Sequence, residues 1–162
     1  MPRTLFCSKG PQKFRFLSNF WNCFLTLHVL SNSDPQVFSS VEHAYVFLKL
    51  SFGDAEPSNF RALKYCENGL HFKQVGKNAF PPRSTIADFW EQISPFLMQS
   101  LVFRKFLFNP QLTQLLFGTN KSELVEATPD KRWGAGLPID RISPNGPFPG
   151  KNLLGSIIMN VR

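Results

Sequence analysis

The strongest helix signal in the chain is the stretch SSVEHAYVFLKL, which runs from Ser39 to Leu50. Its first four residues, Ser39-Ser40-Val41-Glu42, fit the capping-box pattern, in which a serine and a glutamate three positions later satisfy open N–H groups at a helix start. Apolar residues then recur at the spacing of one helical face, at Val41, Ala44, Tyr45 and Leu48. We therefore predict a helix that begins at Ser39 and packs one face against a core.

Before this stretch, the sequence is typical of short strands joined by turns. Three segments rich in aromatic and β-branched residues predict the strands: Thr4–Cys7, Phe14–Phe20 and Phe24–Leu30. Turn-forming residues separate them, at positions 10–11 and 31–35.

After this stretch, the sequence is mostly helical. We predict further helices from Pro57 to before Gly69, and at His71–Ala79, Ala87–Phe108, Gln111–Phe117 and Asn152–Arg162. Pro95 lies inside the longest of them. Because proline has no N–H to donate to the preceding turn, we expect that helix to restart there, with Ser94 as the cap.

The last third of the chain adds one strand and one long loop. Glu123–Thr128 has strand character, whereas Pro129–Gly150 is rich in Gly and Pro. Irregular loops of roughly 20 residues inside compact domains are usually functional or disordered. The elements together predict an α+β fold: a predominantly helical, compact single domain over residues 1–162, with a small antiparallel sheet.

Composition limits the class of protein. A chain of 162 residues fits one domain, and its net charge of +7 favours an anionic partner, nucleic acid being the commonest, although scattered basic charge is often only a solvated surface. The 3 cysteines have no CxxC spacing, so we expect no disulfide framework and no zinc site. We also expect no other metal and no cofactor. Without an apolar run of roughly 20 residues, we expect no membrane contact and an intracellular protein, cytoplasmic or nuclear.

Carboxylates are few enough to weigh one at a time, with 11 in the chain. Glu42 opens the first helix, where it serves either the capping box or a catalytic site. Asp130 begins the long loop, where aspartate is common as a turn residue. Trp133 is followed by Gly134 and Gly136, which let backbone approach a bound group, although a GxG of this kind is weak evidence by itself.

A series of short motifs carries more information than any of them alone. In chain order the motifs are Phe16-Leu17-Ser18-Asn19-Phe20, Ser40-Val41-Glu42-His43, Val75-Gly76-Lys77, Trp90-Glu91, Leu124-Val125-Glu126-Ala127-Thr128, Trp133-Gly134-Ala135-Gly136, Gly150-Lys151-Asn152-Leu153-Leu154-Gly155 and Met159-Asn160-Val161-Arg162. From residue 5 to 162 this series resembles the NADAR, or YbiA-like, family.

The resemblance implies an N-glycosidase that binds a ribose and hydrolyses the bond between this ribose and its base. By matching position, the catalytic set is Glu42, Trp90 and Asp130. The substrate-binding set is Ser18, Asn19, Phe20, His43, Lys49, Lys77, Trp133 and Gly134. The implied partners are an ADP-ribose or nucleotide-like ligand and ADP-ribosylated DNA, from whose guanine the enzyme removes ADP-ribose. The alternatives are hydrolysis of riboflavin-pathway ribosylamino-pyrimidine intermediates and an ADP-ribose or NAD-binding module without turnover.

Such a reaction builds positive charge on the ribose, which a carboxylate can stabilise. The dipole of the first helix favours an ionised Glu42, which suits that role better than acid catalysis. The chain departs from the family pattern where Val46 and Leu48 replace glutamines and where Lys77 replaces an arginine. These departures bear on the substrate more than on the reaction type.

Overall fold

The computed structural model describes residues 2–28, 35–53, 55–66, 69–77, 79–81 and 84–162. Helices dominate these residues, and the strands are short. In chain order the elements are β1 (Arg3–Phe6), a 3-10 helix (Gln12–Leu17), β2 (Leu25–Leu27), β3 (Gln36–Phe38), α1 (Val41–Phe52), α2 (Pro57–Lys64), α3 (Gly69–Lys77), α4 (Thr85–Leu107), α5 (Pro110–Phe117), β4 (Glu123–Glu126), a 3-10 turn (Ile139–Arg141) and α6 (Leu153–Val161).

The four strands form two separate pairs. β2 and β3 are antiparallel, as the sequence predicts for the sheet, with Leu25 opposite Phe38. β1 and β4 pair in parallel, although 116 residues separate the end of one from the start of the other, and Phe6 lies opposite Glu126. The parallel pair therefore brings the first and last thirds of the chain together.

Helix α1 lies at the centre of the molecule. It packs against α3 on one side and α4 on the other. The apolar face predicted from the sequence is buried at Val41, Ala44 and Tyr45, within a core that also contains Phe6 and Trp90. Helix α6 closes the opposite side by packing on α4 and β4.

Two predictions of local structure outside α1 are wrong. Phe14–Phe20 is not a strand, because its first half continues a 3-10 helix and buries Phe16 and Leu17. The long helix does not restart at Pro95, since α4 runs unbroken from Thr85 and Ser84 caps it. Ser94 is buried inside α4. The predicted strand Phe24–Leu30 is confirmed over Leu25–Leu27, and residues 29 and 30 lie outside the described part.

The long loop after β4 is ordered by backbone pairing between its two ends. The N–H of Ala135 donates to the Glu126 carbonyl at 2.8 Å, and the N–H of Gly150 donates to the Ala135 carbonyl at 2.8 Å. Between these points the loop has its own small core, which contains Ile142 and Ala135. The segment is thus an irregular but packed part of the domain.

Asn152, just before α6, joins this loop to β4. It adopts a left-handed backbone conformation with φ of 50°. Its buried side-chain amide donates to the Leu124 carbonyl and accepts from the Glu126 N–H, both at 2.9 Å. The amide therefore pairs with the free edge of β4 as a neighbouring strand would.

The α+β fold class, predominantly helical with small sheets, is confirmed. Within the described ranges, no helix is both long and apolar enough to cross a membrane.

We predict that Asn152→Gly lowers the free energy of unfolding by about 2–4 kcal/mol, because two buried backbone groups of β4 lose their partners while glycine keeps the left-handed conformation. Asn120→Gly is the matched control, since Asn120 also has a positive φ, 49°, but is exposed. Urea unfolding of both variants checks this. Equal effects from the two substitutions would contradict the role given to the Asn152 amide.

Candidate active site

One cavity of about 330 Å³ opens between α1, α3, α4 and the start of the long loop. Acidic, basic and aromatic side chains line it together. The lining residues are Asn19, Phe20, Glu42, Tyr45, Val46, Lys49, Lys73, Gly76, Lys77, Trp90, Glu91, Met98, Glu126, Asp130, Arg132 and Trp133. All three residues predicted as catalytic, Glu42, Asp130 and Trp90, are on this list.

Glu42 lies in the first turn of α1 and is only 8% exposed. The predicted capping box is wrong, because the helix cap is Ser40, whose Oγ accepts from the His43 N–H at 3.1 Å. Glu42 is therefore the second residue of the helix, not the third. Its N–H donates to the Asn19 carbonyl at 3.0 Å, and its side chain lines the cavity.

Burial governs the charge of Glu42. The pKa of its carboxyl is raised from 4.5 to about 7, mainly by desolvation; Asp130 contributes to the rise, and Lys73 and Lys49 oppose it. Burial therefore opposes the ionised form that the helix dipole favours, since the cost of burying charge is larger than the dipole effect. Glu42 is poised between its charged and neutral forms.

Asp130 combines a turn role with a position at the cavity. Its Oδ1 accepts from the N–H groups of Arg132 and Trp133 at 2.8 and 2.9 Å. This side chain therefore fixes the turn that brings both following residues to the cavity wall. Both sequence interpretations of Asp130, turn residue and cavity carboxylate, describe the same geometry.

A further carboxylate, Glu126, lies at the cavity where β4 ends. The pKa of the Glu126 carboxyl is raised to about 7, mainly by desolvation; Lys73 opposes the rise, and Glu42 and Asp130 contribute to it. Sequence reasoning placed Glu126 only within a motif and gave it no role. The available signal was a charged residue between the buried residues Val125 and Ala127.

Aromatic rings form one wall of the cavity. Trp90 is 2% exposed, and its Nε1 donates to the Tyr45 hydroxyl at 3.1 Å. Tyr45 meets Trp133 edge to face, with ring centroids 5.8 Å apart. Phe20 lies at the cavity under the Lys73 ammonium, which is 5.1 Å from the ring centroid. Trp90 thus mainly supports Tyr45, while Trp133 and Phe20 offer more exposed ring surface.

Three lysines and one arginine add positive charge. Lys73 and Lys77 are one turn apart on α3, so their side chains share a face of that helix. Lys49 donates to the Gly76 carbonyl at 2.8 Å, and burial lowers the pKa of its ammonium. Of this group, the sequence predicted Lys49 and Lys77 but missed Lys73 and Arg132.

Arg132 binds the backbone carbonyl that Pro95 leaves without a helical hydrogen bond in α4. Pro95 has no N–H to donate, which leaves the carbonyl of Glu91, four residues earlier, without a helical partner. Nη2 of Arg132 donates to that carbonyl and, at 2.9 Å, to Ser94 Oγ. Nη1 pairs with the Glu91 carboxylate at 3.0 Å. The proline inside α4 therefore supplies an anchor for the loop that carries Trp133.

Three predicted substrate-binding residues do not line the cavity. Ser18 is buried, and its carbonyl accepts from Lys105 Nζ at 2.8 Å. His43 stacks on Phe72, with centroids 4.8 Å apart. Gly134 is buried, and a Cβ there would lie 2.3 Å from Thr128 Oγ1, so this glycine permits close packing of the turn. Asn19 and Phe20 of the same predicted set do reach the cavity.

Only the beginning of the long loop reaches the cavity. Asp130, Arg132 and Trp133 contribute to the lining, and no residue from 134 to 150 does.

In the described residues, no group of three or more His, Cys, Asp or Glu side chains is placed to hold a metal ion.

Comparisons with known proteins agree with this architecture. The curated N-glycosidase R617 of Acanthamoeba polyphaga mimivirus is 31% identical over 127 residues, which cover 76% of this chain and 72% of that protein. The solution structure of the E. coli protein YbiA superposes with a TM-score of 0.69 at 23% identity, covering 100% of this chain and 84% of that one, which shows a shared fold.

The family model described as the NADAR domain matches residues 5–162, nearly the full length of the chain. The protein therefore belongs to the NADAR family.

Proposed function

We propose that this NADAR-family N-glycosidase removes ADP-ribose from guanine in DNA. One observation carries the proposal: three carboxylates, Glu42, Glu126 and Asp130, face a single cavity that also has aromatic and cationic walls. The general reaction class is supported by the family and by a viral relative named as an N-glycosidase. The identity of the substrate is the proposed part.

The carboxylates suit cleavage of a C1′–N bond. As that bond breaks, positive charge develops on the ribose, and a nearby carboxylate lowers the energy of this state. Burial strengthens the interaction because little water screens it. Glu42 is the best candidate for this role, since it is buried at the cavity and held in place by α1.

The cations suit the pyrophosphate of ADP-ribose. The Arg132 guanidinium is already engaged by Glu91 and Ser94, and Lys49 is engaged by the Gly76 carbonyl. We therefore expect Lys73 and Lys77 to make most of the phosphate contacts, as point charges.

Aromatic side chains can contact the other parts of the ligand. Trp133 and Phe20 supply ring surfaces for the base or the ribose.

The net charge of +7 favours a nucleic-acid substrate over a small one. Ribosylamino-pyrimidine phosphates of the riboflavin pathway remain the second candidate, because one ribose phosphate also fits a cavity with two adjacent lysines. A binding module without turnover has no need for three carboxylates at a sugar site, since their burial costs stability.

We predict that Glu42→Gln lowers the release of ADP-ribose from a guanine-ADP-ribosylated oligonucleotide by roughly 100-fold or more, while binding of ADP-ribose persists. Glutamine keeps the shape of the side chain and removes its charge. Chromatography of released ADP-ribose gives the rate, and calorimetry gives the binding. Glu56→Gln, a substitution of the same kind at the exposed residue just before α2, is the control. A Glu42→Gln enzyme that releases ADP-ribose at the wild-type rate would contradict the catalytic role of Glu42.

Glu42→Gln should also change stability in a pH-dependent way. The pKa of this carboxyl rises from an ordinary 4.5 to about 7 on folding, so the folded protein loses stability as pH increases through that interval. The substitution removes the buried charge and should therefore raise Tm at pH 8. At pH 5, where folded Glu42 is already protonated, Tm should be nearly unchanged. A lower Tm at both values would show that Glu42 is needed for the helix start.

We also predict that affinity for an ADP-ribosylated oligonucleotide falls steeply with salt, because each phosphate contact releases counterions, whereas affinity for free ADP-ribose changes much less. Lys73→Ala should weaken binding of both ligands roughly tenfold. Lys64→Ala, at an exposed position on α2, is the matched control and should not weaken binding of free ADP-ribose. Absence of oligonucleotide binding at low salt would favour the small-molecule substrate.

A further inference from the structure

Glu126 is held more firmly than a surface glutamate at a strand end would be. Its N–H donates to Asn152 Oδ1 at 2.9 Å, and its carbonyl accepts from Ala135 at 2.8 Å and from Thr128 at 3.0 Å. The neighbours Val125 and Ala127 are buried. Its backbone is thus fixed on both sides, and its side chain lines the same cavity as Glu42.

The carboxylates at the cavity differ in how they are engaged. Oδ1 of Asp130 is committed to the N–H groups of Arg132 and Trp133. In the described part of the chain, no hydrogen bond to a side chain or backbone group holds the carboxylate of Glu42 or Glu126. These two groups are therefore available to exchange protons with a ligand or with water.

The charged surroundings of these two glutamates are unequal. Glu42 is influenced by Lys73, Lys49 and Asp130, two cations and one carboxylate, and lies at the positive end of α1. Glu126 is influenced by Lys73, Glu42 and Asp130, one cation and two carboxylates. The other charged groups at the cavity are Lys77, Arg132 and Glu91, and the last two neutralise each other. The pKa of both carboxyls is raised, and the second cation near Glu42 together with its place in the first turn of α1 favours the charged form of Glu42 and the protonated form of Glu126.

We propose that Glu126 is the general acid of the glycosidase reaction and that ionised Glu42 is its basic partner, an assignment that rests on the function proposed above. The C1′–N bond breaks with its electron pair going to nitrogen, which takes the proton of the Glu126 carboxyl. The oxygen of one water bonds to C1′, and its proton goes to Glu42. A proton transfer from Glu42 to Glu126 restores the starting state. The sum is one C1′–N bond and one water converted to a C1′–OH and an N–H.

The pH dependence of kcat/KM tests this division. The probe is a guanine-ADP-ribosylated oligonucleotide, with a ribosylamino-pyrimidine phosphate as a second probe. The wild-type profile should be bell-shaped, since activity needs Glu42 ionised on the acidic side and Glu126 protonated on the alkaline side. Glu126→Gln should lower kcat/KM by roughly 100-fold or more and remove the alkaline limb. The acidic limb should move to lower pH, because Glu42 loses a negative neighbour.

Glu123→Gln is the matched control, since it lies on the same strand and pairs with Arg3 away from the cavity. It should keep both limbs and the wild-type rate. Binding of ADP-ribose by Glu126→Gln should match wild type, which separates a loss of proton transfer from a loss of the pocket. An alkaline limb that persists in Glu126→Gln overturns the assignment.

A carbon-13 NMR titration of labelled glutamate carboxyls measures the protonation of Glu126 in the absence of substrate. The Glu126 resonance, identified by its loss in Glu126→Gln, should titrate at higher pH than that of Glu42. The reverse order overturns the assignment whether or not turnover is seen. A wild-type enzyme that cleaves neither probe instead contradicts the proposed function, so the two failures are distinguishable.

Discussion

The side-chain amide of Asn152 is the contact on which the site depends. By pairing with Leu124 and Glu126 it completes the open edge of β4 from inside the domain. The same residue donates its own N–H to the Gly134 carbonyl at 3.0 Å. One buried asparagine thus ties the strand, the turn after Asp130 and the start of α6 together. The parallel pairing of β1 with β4 supports this arrangement from the other edge.

Charge at the cavity is balanced rather than removed. Burying several carboxylates together costs free energy, and the nearby ammonium groups offset part of that cost. The balance is incomplete, which is why burial holds the pKa of both Glu42 and Glu126 near 7. Such values are useful for proton transfer at neutral pH, since each group can reach either protonation state.

The long loop shows how a helix defect can serve a site. A proline inside α4 leaves the Glu91 carbonyl open, and Arg132 occupies it. The cost of the missing helical hydrogen bond is offset by a charged donor from the loop. This anchor and the Asp130 turn hold Trp133 at the cavity, whereas the rest of the loop packs into its own core around Ile142. The irregular segment is therefore rigid where it meets the site.

Sequence patterns were enough to predict the elements whose causes are local. Apolar spacing predicted α1 and α6, and the motif order identified the family and placed Glu42, Asp130, Trp133 and Lys77 among the cavity candidates. The sequence could not predict the parallel pairing of β1 with β4, the anchoring of Arg132 or the nearness of Glu126 to Glu42. Those depend on contacts between residues far apart in the chain, which no local pattern records. The protonation of Glu42 is the clearest case: its helix position favours the charged form, and only tertiary burial opposes that preference by raising the pKa of its carboxyl to about 7.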